Sequence, residues 1–214
     1  MKADLIQERL WHGYQKAAEV LGHKYRQYRP NGPTDPTAIQ NALGYRHLSL
    51  NAEDMKYSKP NKYAKATWYG LCSGVGLSVG DYLVGPSGTF FVAAMQPLLP
   101  IFMVECNRVI SLLRPAQTTG IGVAQYGGDT IATETKLMTG WPASILQGTK
   151  GEKNATDLPG DVRTPWWTVL VPYCPGVILN TSDIISDDIG RRYTISSPEQ
   201  SSLGWRLTCA LAVA

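Results

Sequence analysis

The chain is predicted to be mainly β: two related small β-barrel or sandwich modules, preceded by an N-terminal α-helix and a proline-rich arm. Three observations predict this. The first is an internal echo. Cys72-Ser-Gly74-Val75-Gly-Leu77-Ser-Val-Gly-Asp81-Tyr-Leu-Val-Gly-Pro-Ser-Gly88 aligns without a gap, 102 residues on, with Cys174-Pro-Gly176-Val177-Ile-Leu179-Asn-Thr-Ser-Asp183-Ile-Ile-Ser-Asp-Asp-Ile-Gly190. The Cys, Gly, Val, Leu, Asp and final Gly are shared. Two copies are too few for a solenoid, so they point to two modules in one chain. The second observation is 21 Gly and 14 Pro in 214 residues, which suits many short strands and turns. The third is a helical apolar period near the start.

That period predicts a helix over residues 3–25. Leu5, Leu10, Tyr14, Ala17, Ala18 and Leu21 recur at three- and four-residue steps and share one face. Asp4 and Glu8 near its start and Lys24 and Arg26 near its end suit the helix dipole. Pro30 and Pro33 exclude continuation, so Arg29 to Pro36 reads as an extended arm. An apolar helix on such an arm suits docking on a neighbour. The expected organisation is helix and arm over 1–45, first β module over 46–114, linker with a flexible loop over 115–165, and second β module over 166–214.

Within the first module, Tyr82-Leu83-Val84 and Thr89 to Ala94 flank Gly85-Pro86-Ser87-Gly88, a hairpin signal. Met95 to Pro100 makes a second reversal. Ile101 to Leu113 reads as one long strand, with Phe102, Val104 and Cys106 on the core face opposite Glu105, Asn107 and Val109. After a one-residue slip, Phe102, Val104, Cys106 and Ile110 answer Trp205, Leu207, Cys209 and Val213. So apolar a final strand belongs in a core or pairs with another chain.

Composition bounds the function. A formal charge of +3 makes no electrostatic case for nucleic acid as the main partner. Met1 to Arg9 has no apolar core of a signal peptide, and no run of eighteen apolar residues occurs, so the chain is expected to fold in the cytosol with reduced thiols. Spacing leaves Cys72–Cys106 and Cys174–Cys209 open as pairs; the apolar face carrying Cys106 and Cys209 favours buried free thiols.

Catalytic readings are weak. His12, His23 and His47 all lie in the helix and arm region, away from the glycine-punctuated β regions. Gly120 to Gly127 has the wrong spacing for a dinucleotide loop, and Gly148-Thr149-Lys150-Gly151 lacks the Walker spacing. Asp183, Asp187 and Asp188 offer oxygen to a hard cation, but the shared Asp81 and Asp183 read better as turn residues bonding their own backbone. Lys24-Tyr25-Arg26-Gln27-Tyr28-Arg29 interleaves cations with aromatics, a pattern compatible with nucleic acid but more often a helix end meeting solvent or an acidic protein surface. Trp166, Trp167 and Trp205 could line a sugar platform. No residue is assigned a catalytic, cofactor or metal-ligand role, and the chain is expected not to be an enzyme; an enzyme would need Asp81, Asp183 or Glu105 to line a cleft.

Gly80-Asp81-Tyr-Leu-Val, a turn, then Gly88-Thr-Phe-Phe-Val and a return strand resembles small β-barrel proteins of tailed-bacteriophage necks: the stopper, adaptor and collar proteins between portal and tail. Ser182-Asp183-Ile-Ile with Gly190-Arg-Arg-Tyr-Thr-Ile is similar. The N-terminal helix, Tyr28-Arg29-Pro30, Leu98-Leu99-Pro100 and Gly204-Trp205-Arg206-Leu207 also resemble prophage morphogenesis proteins, over most of the chain outside 115–160. The resemblance implies a virion structural protein, assembled in the host cytoplasm as a hexameric or dodecameric homo-oligomeric ring at the head–tail junction. Its partners would be portal or adaptor and tail proteins, with non-specific contact with packaged DNA and none with membrane. The doubled module departs from the single barrel of such necks. A carbohydrate- or host-surface-binding module of a tail or decoration protein is the alternative.

Overall fold

The computed structural model describes residues 3–52, 65–116, 134–148 and 165–212. Among the described residues one α-helix, α1 (Ala3–Leu21), precedes twelve strands. The first six are β1 (His23–Tyr28), β2 (Ala42–Ala52), β3 (Thr67–Leu71), β4 (Tyr82–Gly85), β5 (Gly88–Ala94) and β6 (Ile101–Cys106). The next six are β7 (Arg108–Arg114), β8 (Thr135–Gln147), β9 (Trp166–Val171), β10 (Ile184–Asp187), β11 (Arg192–Ser201) and β12 (Gly204–Leu211).

The predicted class holds: a helix, then two β modules, each a closed barrel. The first closes in the order β1-β2-β3-β6-β5-β4, the second in the order β7-β8-β9-β12-β11-β10. Each is a pair of three-stranded meanders joined antiparallel at both edges, so no edge stays open. The strand order is the same in both, so the repeat covers whole barrels.

The module boundaries therefore fall elsewhere than the sequence suggested. β1, expected in the helix and arm, is a wall of the first barrel, paired with β2 and β4. β7 and β8, expected in the first module and the linker, open the second barrel. The long strand expected over Ile101 to Leu113 breaks at Asn107. There the Asn107 side chain imitates a strand residue: its Nδ2 donates to Ile145 O at 2.9 Å and its Oδ1 accepts from Ile145 N at 2.8 Å. The chain thus leaves one sheet and enters the next within one residue.

The final-strand echo is also displaced. Val92 on β5 faces Met103, and Ile195 on β11 faces Cys209. Trp68 on β3 faces Met103, and Trp167 on β9 faces Cys209. Met103, not Cys106, is thus the counterpart of Cys209. A shift by an odd number of residues reverses the strand face. Ile101 and Met103 fill the first barrel, while Val104, with Phe102 and Cys106 beside it, packs into the cluster dominated by the second. All four cysteines are free.

α1 ends at Leu21, and Gly22 feeds directly into β1. A Cβ on Gly22 would lie 2.3 Å from Leu48 O, so glycine is required where the chain turns under β2. Lys24 and Arg26 are strand residues rather than a helix end. The packed face of α1 carries Leu10, Trp11, Tyr14, Ala17 and the fully buried Ala18. The indole of Trp11 lies on Gly74, and Leu98 N donates to Gln7 Oε1 at 2.7 Å. Leu5 and Leu21, expected on the same face, are exposed at its two ends.

The proline-rich segment is not a tether for the helix. It links β1 to β2 and lies along the second barrel, where Pro33 O accepts from Thr139 N at 2.9 Å and Trp141 Nε1 at 3.0 Å. The row Tyr82–Phe91–Val104 across β4, β5 and β6 faces the second barrel. Tyr82 is fully buried, donates to Pro142 O at 2.8 Å and meets the Trp141 ring edge-on at 6.1 Å. Burying a side chain of this size contributes about 1.5–3 kcal/mol.

Candidate functional site

The turn before β4 and its twin before β10 share the bonds that hold their aspartates. Asp81 Oδ2 accepts from Ser78 N at 2.9 Å; Asp183 Oδ2 accepts from Asn180 N at 2.7 Å. Gly80 N donates to Val92 O and Ser182 N to Ile195 O, both at 2.8 Å. Gly80 (φ 89°) and Ser182 (φ 73°) both take the left-handed conformation that aims the next residue inward. Each aspartate is the turn residue expected from sequence.

Each is also clamped by an arginine that sequence reasoning missed. Arg29 Nε and Nη2 donate to Asp81 Oδ1 and Oδ2 at 2.8 and 2.7 Å, and Nη2 reaches Gly76 O at 3.1 Å. Arg114 Nε and Nη2 donate to Asp183 Oδ1 and Oδ2 at 2.8 Å each, and Nη2 reaches Ile178 O at 2.8 Å. Such forked pairs fit the planar guanidinium. The hydrogen bonds to the carboxylates raise both arginine pKa values, against a smaller lowering by burial. The sequence held a signal for them: an Arg-Pro pair stands at the end of each barrel's first strand, Arg29-Pro30 just after β1 and Arg114-Pro115 where β7 ends.

Around the clamp the copies diverge as matched pairs. In the first barrel Gln27 donates to Asp81 Oδ2 at 2.6 Å, and its Oε1 accepts from Arg46 Nε at 2.9 Å. The corresponding strand positions in the second barrel hold Leu112 and Trp141, both fully buried. A polar couple is exchanged for an apolar one, and the Arg–Asp fork stays. Asp81 and Asp183 are 1% and 2% exposed, so neither lines an open cleft.

The other candidates scatter. His12 is exposed on α1, His23 begins β1, and His47 stands on β2 opposite Lys24. Among the described residues no group of three His, Cys, Asp or Glu could hold a metal ion. Asp187 accepts from Arg191 N, Ile189 N and the Tyr193 hydroxyl, a turn role, while Asp188 reaches Arg108 at 3.9 Å. Glu105 accepts from Trp68 Nε1 at 2.8 Å. Trp205 is buried and Trp167 packs edge-on against Tyr193, so these two do not form a sugar platform with Trp166, whose indole covers Gly148. Gly120 to Gly127 and Thr149 to Gly151 lie outside the described residues.

Two surface features remain. On the outward side of β1 and β2, Lys24 Nζ lies 4.7 Å from the Tyr45 ring centre, and the Arg26 guanidinium lies 5.6 Å from those of Tyr28 and Tyr45. Beside them a cleft of about 380 Å³ opens between the barrels, lined among others by Tyr28, Val84, Asn107 and Arg108. The Cys106 thiol at this cleft is pushed up by burial first and by Glu105 second, which makes it a poor nucleophile. Comparisons with protein-family models, with curated proteins and with solved structures find no match to this chain.

Proposed function

We propose that the chain is a structural subunit of a phage virion, forming a homo-oligomeric ring at the head–tail junction that docks on portal or tail proteins and lines or closes the DNA channel. The observation that carries this reading is what the two barrels keep and what they change. They keep strand order, turn and Arg–Asp fork, all of which hold shape. The positions around the fork differ in chemistry, as Gln27 and Arg46 against Leu112 and Trp141. Retaining geometry while discarding polar groups suits a part that builds rather than catalyses. Apolar side chains for neighbour contacts are available at the two ends of α1: Leu5, Ile6, Val20 and Leu21 are all exposed, Val20 at 81%. Ring subunits bury head-to-tail surfaces of this kind.

Light scattering on the purified protein, alone and with portal particles, tests the reading. A hexamer or dodecamer, or co-sedimentation with portal, is expected. A strict monomer at every concentration that never associates with particles would overturn it.

A further inference from the structure

We propose that the outward face of β1 and β2 binds a single nucleic-acid strand, with phosphates on Lys24 and Arg26 and a base stacked on Tyr45. The strands alternate cleanly here. Tyr25 and Gln27 point into the barrel, which turns Lys24, Arg26 and Tyr28 outward. Register then sets Lys24 beside His47 and Arg26 beside Tyr45. The result is a compact block of cations and rings on one rigid wall, continuous through Tyr28 with the cleft between the barrels.

These two cations are held differently from the arginines that anchor the fold. Arg29 and Arg114 are committed to buried aspartates, Arg46 to Gln27, and Arg108 faces Asp188. Lys24 and Arg26 pair with no carboxylate among the described residues. Tyrosine faces hold them instead, so their N–H donors are positioned yet unspent. A phosphate takes up such donors in the forked geometry that suits a guanidinium. Tyr45 is 62% exposed, so the ring surface that Lys24 and Arg26 leave uncovered can stack a base. An acidic protein partner would use the charges and leave the ring without a role. Duplex bases are already stacked, so the ring favours a single strand. The assignment stands apart from the ring proposal, because the isolated protein suffices to test it.

The test is fluorescence anisotropy with a labelled oligo-dT about 20 nucleotides long, a duplex of equal length, and polyglutamate as competitor. The single strand is expected to bind tightest, with affinity falling as salt rises. Lys24→Gln/Arg26→Gln should weaken it at least tenfold and make the log–log salt slope shallower by about 1.4, the value for two single-strand phosphate contacts. Tyr45→Ala should weaken binding at least fivefold with the slope unchanged, since stacking releases no ions. Arg9→Gln/Lys16→Gln, which removes equal charge from α1, should bind as the parent does. All these side chains are at the surface, and matching circular dichroism melts establish that the variants fold. The proposal is overturned if the parent does not bind at low salt, if the β1 variants bind as tightly as the parent, or if duplex or polyglutamate is preferred.

Discussion

Arg114 grips Asp183 as Arg29 grips Asp81, through the same two nitrogens and with the same extra bond to the carbonyl of the residue five before the aspartate. In each barrel the fork ties the end of the first strand to the turn that starts the fourth, which is where the two meanders must meet to close. The aspartates are buried and the arginines partly wet, so each pair is less screened than a surface ion pair.

Arg29→Met or Arg114→Met should therefore destabilise the protein by about 2–4 kcal/mol, because a buried carboxylate loses its partner. Adding Asp183→Asn to Arg114→Met should cost much less than the sum of the two changes, since the members act as a unit. Urea unfolding monitored by circular dichroism measures both; additive costs would show that the fork is incidental.

Tyr82 joins the barrels through Pro142 and Trp141. Tyr82→Ala should cost about 3–5 kcal/mol as a large buried side chain lost. It should also split one unfolding transition into two, as each closed barrel keeps its own ladders. Tyr82→Phe, which loses a single hydrogen bond, should cost about 1 kcal/mol and leave one transition. Calorimetry distinguishes these outcomes.

Burial pushes the Cys72 thiol from its ordinary 9.0 to about 11 and the Cys209 thiol to about 12. The folded state then holds these protons more tightly than the unfolded chain does. Their contribution to stability is intact below pH 9.0 and is lost as pH rises towards 11 and 12. Urea midpoints between pH 8 and 11 should fall less steeply for Cys72→Ala/Cys209→Ala than for the parent, whatever the offset from the cavities. At pH 8 a thiol reagent should modify the native protein slowly and all four cysteines rapidly in denaturant.

Gly74 lies under the Trp11 indole, where a Cβ would come within 2.3 Å of the ring. Gly74→Ala should lift α1 from the first barrel. Limited proteolysis within residues 3–21 should accelerate severalfold while barrel stability changes by about 1 kcal/mol or less. Unchanged proteolysis would mean the helix is held elsewhere.

The turns were readable because turn chemistry is local. Asp81, Asp183 and the hairpin around Gly85 to Gly88 need a handful of consecutive residues, so these turns could be read in the chain. The α1 face was readable for the same reason over Leu10 to Ala18. The cation–aromatic run from Lys24 to Arg29 was visible too, but as a helix end: the polar Gln27, buried in the first barrel, hides the strand alternation.

Strand membership depended on distant pairing. Arg29 and Arg114 meet their aspartates 52 and 69 residues away, a distance no local pattern spans. β6 buries one face in its own barrel and the other against the second. Its one charged residue, Glu105, shares the first-barrel face with Ile101 and Met103 and accepts from Trp68, so it marks no solvent side, and the match of Cys106 to Cys209 came out three residues wrong. Asn107 turns an apparently continuous strand into the crossing between barrels through bonds to Ile145 that exist once both sheets are closed. Short-range backbone chemistry is thus written in consecutive residues, while sheet partners and strand faces are set by what covers them.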